Sequence, residues 1–186
     1  MGTNKVILLL LALSGALLAW MFFGLDPEFQ RLSGAGGFLD ARLSGYDSDA
    51  VLGLQYALAD PSRGDARDLL QLMYLGPDLV LPLTLTLSLC LLMRGFAPGA
   101  VLYGRRLEAR HARLLCLLPL AYGIADYVEN ASFLLYFPPA TPGPGLSALL
   151  PDLLPWVSRV KLMFLAVSVI LVIRLVLSKT PATRGG

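Results

Sequence analysis

Four stretches of this chain are each long and apolar enough to cross a lipid bilayer as a helix. They cover residues 6–23, 75–93, 114–137 and 156–177. A hydrocarbon core of about 30 Å takes about 20 helical residues, and a helix satisfies its own backbone hydrogen bonds where there is no water. The sequence therefore predicts an all-α fold, a four-helix transmembrane bundle.

The composition is that of a membrane protein. Hydrophobic residues make up 56% of the chain, charged residues make up 15%, and the mean hydropathy is +0.67. Soluble domains average roughly 45–50% apolar and about 25% charged residues. The net charge of +2 is too small for a nucleic-acid binder. We therefore expect a single polytopic domain over residues 1–186 that contacts membrane lipids and no nucleic acid.

The distribution of arginines predicts the orientation. The connection 94–113 contains five Arg and one Glu, whereas the connection 24–74 contains four Arg and eight acidic residues. Because positively charged connections stay in the cytoplasm, we expect both termini to be cytoplasmic in a multi-pass protein of the cytoplasmic membrane. A cleaved signal peptide is the alternative interpretation of residues 6–23. A retained span is favoured because aromatic residues close that apolar run.

The two outer connections have different patterns. In the first, Asp47 or Ser48 can cap a mostly apolar segment, which predicts a surface helix near residues 47–59. The second, 138–155, is short, contains several prolines and predicts a stiff connection. The outer loop 24–74 is therefore expected to be partly helical.

The third stretch contains polar residues that are costly in lipid. These are Tyr122, Asp126, Glu129 and Asn130. At about 100° per residue, the tyrosine and the two acids fall on one stripe of a helix, and the amide lies on its flank. Charged side chains inside a span are rare and usually face the bundle interior. The stripe therefore predicts a polar face that is turned toward the other helices.

Three further charged residues lie at a similar depth. Counting about 1.5 Å per residue from the cytoplasmic ends puts Asp78, Arg159 and Lys161 in the same outer layer as the two acids of the third stretch. Arg159 and Lys161 point in opposite directions on a helix, so only one of them can face the stripe, and the other extends to the interface. Asp78 follows Gly76-Pro77 and can also be read as a helix cap at the interface.

Three functions are compatible with this layer. It can be a structural ion-pair network that fixes the rotation of the helices, or a binding site for a small ligand that is linked to protons or cations. The alternative is a membrane-embedded isomerase, cyclase or transferase that acts on a lipid or isoprenoid substrate, with Asp126 and Glu129 as acid and base. The small residues of the first span offer a contact for a second copy or for a larger membrane complex.

Motifs for metals and cofactors are absent from the sequence. His111 is the only histidine, and Cys90 and Cys116 lie on different spans without a C-x-x-C motif. No metal site and no cofactor are therefore expected, and the two cysteines are interpreted as apolar core residues.

Several polar motifs together resemble those of a group of membrane proteins. They are Gly45-Tyr46, Tyr74 with Asp78 and Pro82, Asp126-x-x-Glu129-Asn130, and Arg159-x-Lys161. In this pattern the chain resembles uncharacterised small bacterial integral membrane proteins with four transmembrane helices. The resemblance covers most of the chain and implies the four-span architecture, but it implies no activity.

Overall fold

The computed structural model describes residues 2–42, 44–102, 104–138 and 143–178. Its regular structure is helical apart from a short antiparallel hairpin, so the all-α prediction is confirmed. The helices are α1 (Thr3–Trp20), α2 (Asp26–Ser33), α3 (Ser48–Ala59), α4 (Gly64–Leu75), α5 (Pro77–Phe96), α6 (Ala109–Leu115), α7 (Leu117–Tyr136) and α8 (Pro144–Ser178). The hairpin pairs β1 (Val101–Leu102) with β2 (Arg105–Arg106).

Three continuous helical stretches are long and apolar enough to cross a membrane: Thr3–Ser33, Pro61–Phe96 and Pro144–Ser178. The first joins α1 to α2 through a π-helical turn at Met21–Leu25 and stops at Gly34, whose positive φ of 62° suits glycine at a helix end. Helix α7, which corresponds to the third expected span, is not in this set. Its charged and amide residues lower its mean hydropathy.

Helices α5, α7 and α8 pack against one another, and α1 packs on α5. Helix α5 meets α7 closely, because a Cβ atom on Gly123 would lie only 2.6 Å from Thr86 Oγ1. The Thr86 hydroxyl donates a hydrogen bond to the carbonyl of Pro119 at 3.2 Å. Between α1 and α5, Ser14 Oγ lies 2.9 Å from Thr84 Oγ1. Small polar side chains and glycine thus bring these helices close together.

The small-residue stripe of the first span does not form the contact between α1 and α5. Its residues are exposed in the described chain, and the buried residues of α1 are Ile7 and Ser14. The stripe consists of Ala12, Gly15, Ala16 and Ala19. A hydroxyl pair therefore joins α1 to α5, and the small residues remain on the outer face of α1.

An aromatic core fixes the segment after α2 onto the ends of α4 and α7. Phe29 stacks on Phe38 with ring centroids 4.2 Å apart, and Tyr74 stacks on Phe133 at 5.0 Å. The backbone N–H of Phe38 donates to Asp26 Oδ1 at 2.7 Å. Stacked buried rings contribute more than their area alone. The residues next to Phe38 are therefore held in place over the helix bundle.

Helix α3 covers the same end of the bundle. The side chain of Asp47 accepts a hydrogen bond from the N–H of Ala50 at 2.9 Å, so Asp47 is the N-cap. Gln55 Oε1 accepts from the hydroxyl of Tyr136 on α7 at 2.7 Å, and Ser48 donates to Asp152 on α8 at 2.7 Å. These bonds tie α3 to the ends of both helices.

Helix α8 corrects the expectation for the connection 138–155. The structure describes no residues between 139 and 142, but from Pro144 onward the chain is helical and continues to Ser178. Pro144 sits in the first turn, where a missing N–H costs nothing. Pro151 and Pro155 lie in the helix interior, where each costs about 3 kcal/mol. Both are buried, so tertiary packing offsets this cost.

Candidate functional site

The centre of the site is an ion triad of Lys161 on α8 with Asp126 and Glu129 on α7. Lys161 Nζ lies 2.9 Å from Asp126 Oδ1 and is also paired with Glu129 Oε2. The two acids are three residues apart, so they lie on the same face of α7. All three side chains are buried, with at most 8% of their surface exposed.

Two tyrosines occupy the remaining oxygens of the triad. The Tyr122 hydroxyl donates to Asp126 Oδ2 at 2.9 Å, and the Tyr46 hydroxyl donates to Glu129 Oε1 at 2.9 Å. Tyr122 is one turn before Asp126, whereas Tyr46 comes from the segment before α3. Each carboxylate oxygen therefore has one partner, which is the condition under which buried charges are tolerated.

Asp78 is close to this triad but is not neutralised by it. The residue is only 3% exposed, it makes no side-chain cap bond for α5, and its Oδ2 atom has no hydrogen-bond partner. Its backbone carbonyl accepts from Asn130 Nδ2 at 3.0 Å. The interpretation of Asp78 as a helix cap at the interface is therefore wrong. The carboxylate is buried in the bundle.

Asp40 is a site residue that the sequence did not reveal, since it was counted only as one charge of the outer connection. It lies two residues after Phe38, which is fixed by its stacking on Phe29. The Tyr74 hydroxyl is 3.4 Å from Asp40 Oδ1. Burial raises the pKa of Asp40 to about 7; the ammonium of Lys161 opposes this rise, and the charges of Glu129 and Asp126 add to it. The Asp40 side chain is partly exposed. It lines the cavity described next.

A cavity of about 130 Å³ adjoins the triad. Its polar walls are Asp40, Asp78, Tyr122, Asp126 and Lys161, and the rest of its lining is almost entirely apolar. The apolar walls come from α1, the segment before α3, α4, α5 and α8. They are Leu18, Met21, Phe22, Phe38, Ala41, Met73, Leu81, Leu85, Leu162 and Leu165. The site is therefore an apolar pocket with a polar wall.

The comparisons with known proteins return no match. No protein-family model fits this chain, and neither curated proteins nor solved structures show a significant similarity to it. The chemistry of the site therefore has to be argued from its own residues.

The structure brings together six of the seven residues that the sequence singled out. Tyr122, Asp126, Glu129, Asn130, Asp78 and Lys161 share the site. Arg159 does not join them, because its guanidinium lies over the Trp156 ring, 5.4 Å from the centroid, and it is exposed. Tyr46 and Asp40 are added from the outer connection. A signal for Tyr46 was present in the Gly45-Tyr46 motif, but nothing local to the sequence placed it against Glu129.

The described residues contain no group of three or more His, Cys, Asp or Glu side chains that could hold a metal ion. Cys90 of α5 lies next to Cys116, the residue between α6 and α7, and each thiol lies within 3.7 Å of the other residue's carbonyl oxygen. In sequence, Cys90 is 12 residues from Asp78, and Cys116 is 10 residues from Asp126. The site itself can hold an ion pair, accept hydrogen bonds and exchange protons.

Proposed function

We propose that this chain is a four-helix, multi-pass protein of the cytoplasmic membrane that binds a small ligand in a proton-linked manner. The spans are α1, α5, α7 and α8, both termini are cytoplasmic, and the pocket lies in the outer half of the bundle. The observation that carries the proposal is the apolar cavity beside the ion triad, whose lining includes Asp78, a buried acid with one carboxylate oxygen that has no hydrogen-bond partner.

The exposed surface supports the membrane part of this proposal. All four helices present large apolar side chains outward, and soluble monomers rarely expose contiguous apolar patches of more than a few hundred Å². Examples are Leu8, Leu9, Phe23, Leu83, Leu87, Ile124, Leu135, Met163 and Ile170. Lipid is the solvent that suits this surface.

The packing of α7 supports a fourth span. Its 20 residues reach about 30 Å at 1.5 Å per residue, and it lies against both α5 and α8. Its acids face these two helices, while Ile124 and Leu135 are exposed on the opposite side. The low hydropathy of α7 therefore comes from its buried face, and lipid would meet only its apolar face.

The charge balance supports a proton-linked site. Within the part of the chain that the structure describes, Asp40, Asp78, Asp126 and Glu129 have one neighbouring base at the site, Lys161. Four ionised carboxylates around one ammonium are unstable in a low dielectric. The site therefore retains protons until a ligand supplies other partners, which links ligand binding to proton release.

A purely structural network explains the triad but leaves the cavity unexplained. The embedded enzyme expected from the sequence would use Asp126 and Glu129 as a free acid and a free base, whereas both are paired with the same ammonium. Binding is therefore the function that the geometry supports best.

A neutral probe of the cavity tests the proposal. Benzyl alcohol should raise the Tm of the purified protein in detergent, because a ligand of the folded state stabilises it by mass action. The Leu165→Trp variant, which puts a larger side chain into the lining of the cavity, should lose most of this shift. Ile170→Trp is the matched control on the exposed face of α8 and should keep it. Equal shifts for all three proteins would mean that the alcohol acts on the micelle, and the proposed pocket would be wrong.

A further inference from the structure

Among the described residues, two carboxylates that line the cavity form no ion pair. The ion triad uses Lys161 for Asp126 and Glu129, and the hydroxyls of Tyr122 and Tyr46 complete the coordination of those acids. Asp78 Oδ2 has no hydrogen-bond partner, and the side-chain partner of Asp40 in the described chain is the Tyr74 hydroxyl at 3.4 Å. The pocket therefore offers two acids that can release their protons and then accept hydrogen bonds from a cation.

These two acids disfavour an anionic ligand and favour a ligand that donates hydrogen bonds. An anion would find no free cation at the site, because Lys161 is already paired twice. A cation would gain charge-assisted hydrogen bonds, which are shorter and stronger than neutral ones. The described residues do not form a metal-binding cluster, so the cation that fits is an organic ammonium group.

The cavity sets the size of the ligand's apolar part. An apolar protein cavity of about 150 Å³ holds one benzene molecule, so the 130 Å³ here accommodate a group of similar size. The lining is mostly aliphatic and aromatic, so this part has to be apolar. The polar wall on one side means that the charged group is attached at one end.

The helix packing indicates where such a ligand enters. Helix α1 packs on α5, and α8 packs on α5 and α7, so the cavity lies between α1 and α8. Leu18 of α1 and Phe22 of the π-helical turn that follows α1 line it on one side. Leu162 and Leu165 line it from α8. Phe22 is 38% exposed on the outer surface of the bundle. A ligand that partitions into the bilayer can therefore approach laterally between these two helices.

We propose that the pocket binds amphiphilic primary amines, with the ammonium group between Asp78 and Asp40 and the apolar body between α1 and α8. This inference rests on the proposed function and assigns a ligand class to it. The ammonium takes the place of the protons that the two acids hold in the empty site. Binding of the amine therefore releases protons from the pocket.

Benzylamine and benzyl alcohol test the inference as a pair, because they have nearly the same size and differ in charge. Equilibrium dialysis of the detergent-solubilised protein against each radiolabelled compound, with empty micelles as the blank, measures the two affinities. Benzylamine should bind at least tenfold more tightly than the alcohol. Asp78→Asn should weaken benzylamine at least tenfold and leave benzyl alcohol within about twofold. Asp49→Asn, an exposed acid of α3, is the control and should change neither.

The outcomes separate the two proposals. If both compounds bind with the same affinity and Asp78→Asn changes neither, the pocket exists but the amine class is wrong. If neither compound binds to a folded protein, both the ligand class and the proposed function fail. If Asp78→Asn does not fold, Asp40→Asn provides the same comparison at the second carboxylate. Unchanged benzylamine affinity in that variant overturns the position assigned to the ammonium group.

Discussion

Replacing Lys161 with methionine should cost more stability than any other single charge removal in the bundle. The ammonium is paired with Asp126 and Glu129, and at most 8% of each side chain is exposed. Methionine has a similar length and no charge, so the change removes the cation and keeps most of the volume. Two buried carboxylates then lose their shared partner.

The expected loss is about 3–5 kcal/mol, because that is the usual cost of removing one partner from a buried ion pair. Most of this loss comes from the orphaned carboxylates and not from the missing attraction. The triple variant Lys161→Met, Asp126→Asn, Glu129→Gln should therefore recover most of it. Its amides can still accept hydrogen bonds from Tyr122 and Tyr46.

Unfolding of the purified proteins in mixed detergent micelles, followed by circular dichroism, measures these differences. Arg159→Met is the matched control. It removes the same charge from the same helix two residues away, but its guanidinium is exposed and contacts only the Trp156 ring among the described interactions. Its effect should stay within about 0.5 kcal/mol, as for ordinary surface substitutions.

Two results would refute this reasoning. Equal stability of Lys161→Met and Arg159→Met would show that the triad contributes no buried charge pairing. A triple variant that is as unstable as Lys161→Met would show that the loss comes from packing of the lysine stem and not from unpaired carboxylates.

Two further predictions concern the outer connection and the orientation. Because burial raises the pKa of Asp40 from 3.8 to about 7, the wild type should lose stability as the pH rises from about 4 through 7, and this loss should be smaller in Asp40→Asn. The ceiling is about 4 kcal/mol, and we expect about 1–2 kcal/mol because the side chain is partly exposed. An equal change in the free energy of unfolding between pH 5 and pH 8.5 in the wild type and in Asp40→Asn would contradict this. In intact cells, Gly145→Cys should react with an impermeant maleimide added outside and Gly104→Cys should not, and the reverse labelling would overturn the orientation.

The interior of the helices was predictable from the sequence because hydropathy and periodicity are local properties. A run of about 20 apolar residues can satisfy its backbone in lipid only as a helix or in a closed barrel, which indicated α1, α5 and α8. The spacing of Asp126 and Glu129 fixed their common face on α7 before any neighbour was known. The same geometry required that only one of Arg159 and Lys161 could face them.

The partners of that face were decided by tertiary structure. Nothing local in the sequence shows that Lys161, and not Arg159, turns inward, because both choices satisfy the helix. Asp78 is buried only because α5 packs on α7 and Asn130 binds its carbonyl. Helix α8 begins at Pro144 because the buried contacts of its first turns offset two interior prolines.

Asp40 and Tyr46 show the same limit most clearly. They stand in a connection with no helical period, and only the stacking of Phe38 on Phe29 and the burial of Tyr46 against Phe133 bring them to the site. The sequence by itself determined which segments are apolar helices and which residues could not face lipid. The three-dimensional packing of distant segments decided which charges meet, because contacts between residues 83 positions apart, such as Tyr46 and Glu129, leave no periodic trace along the chain.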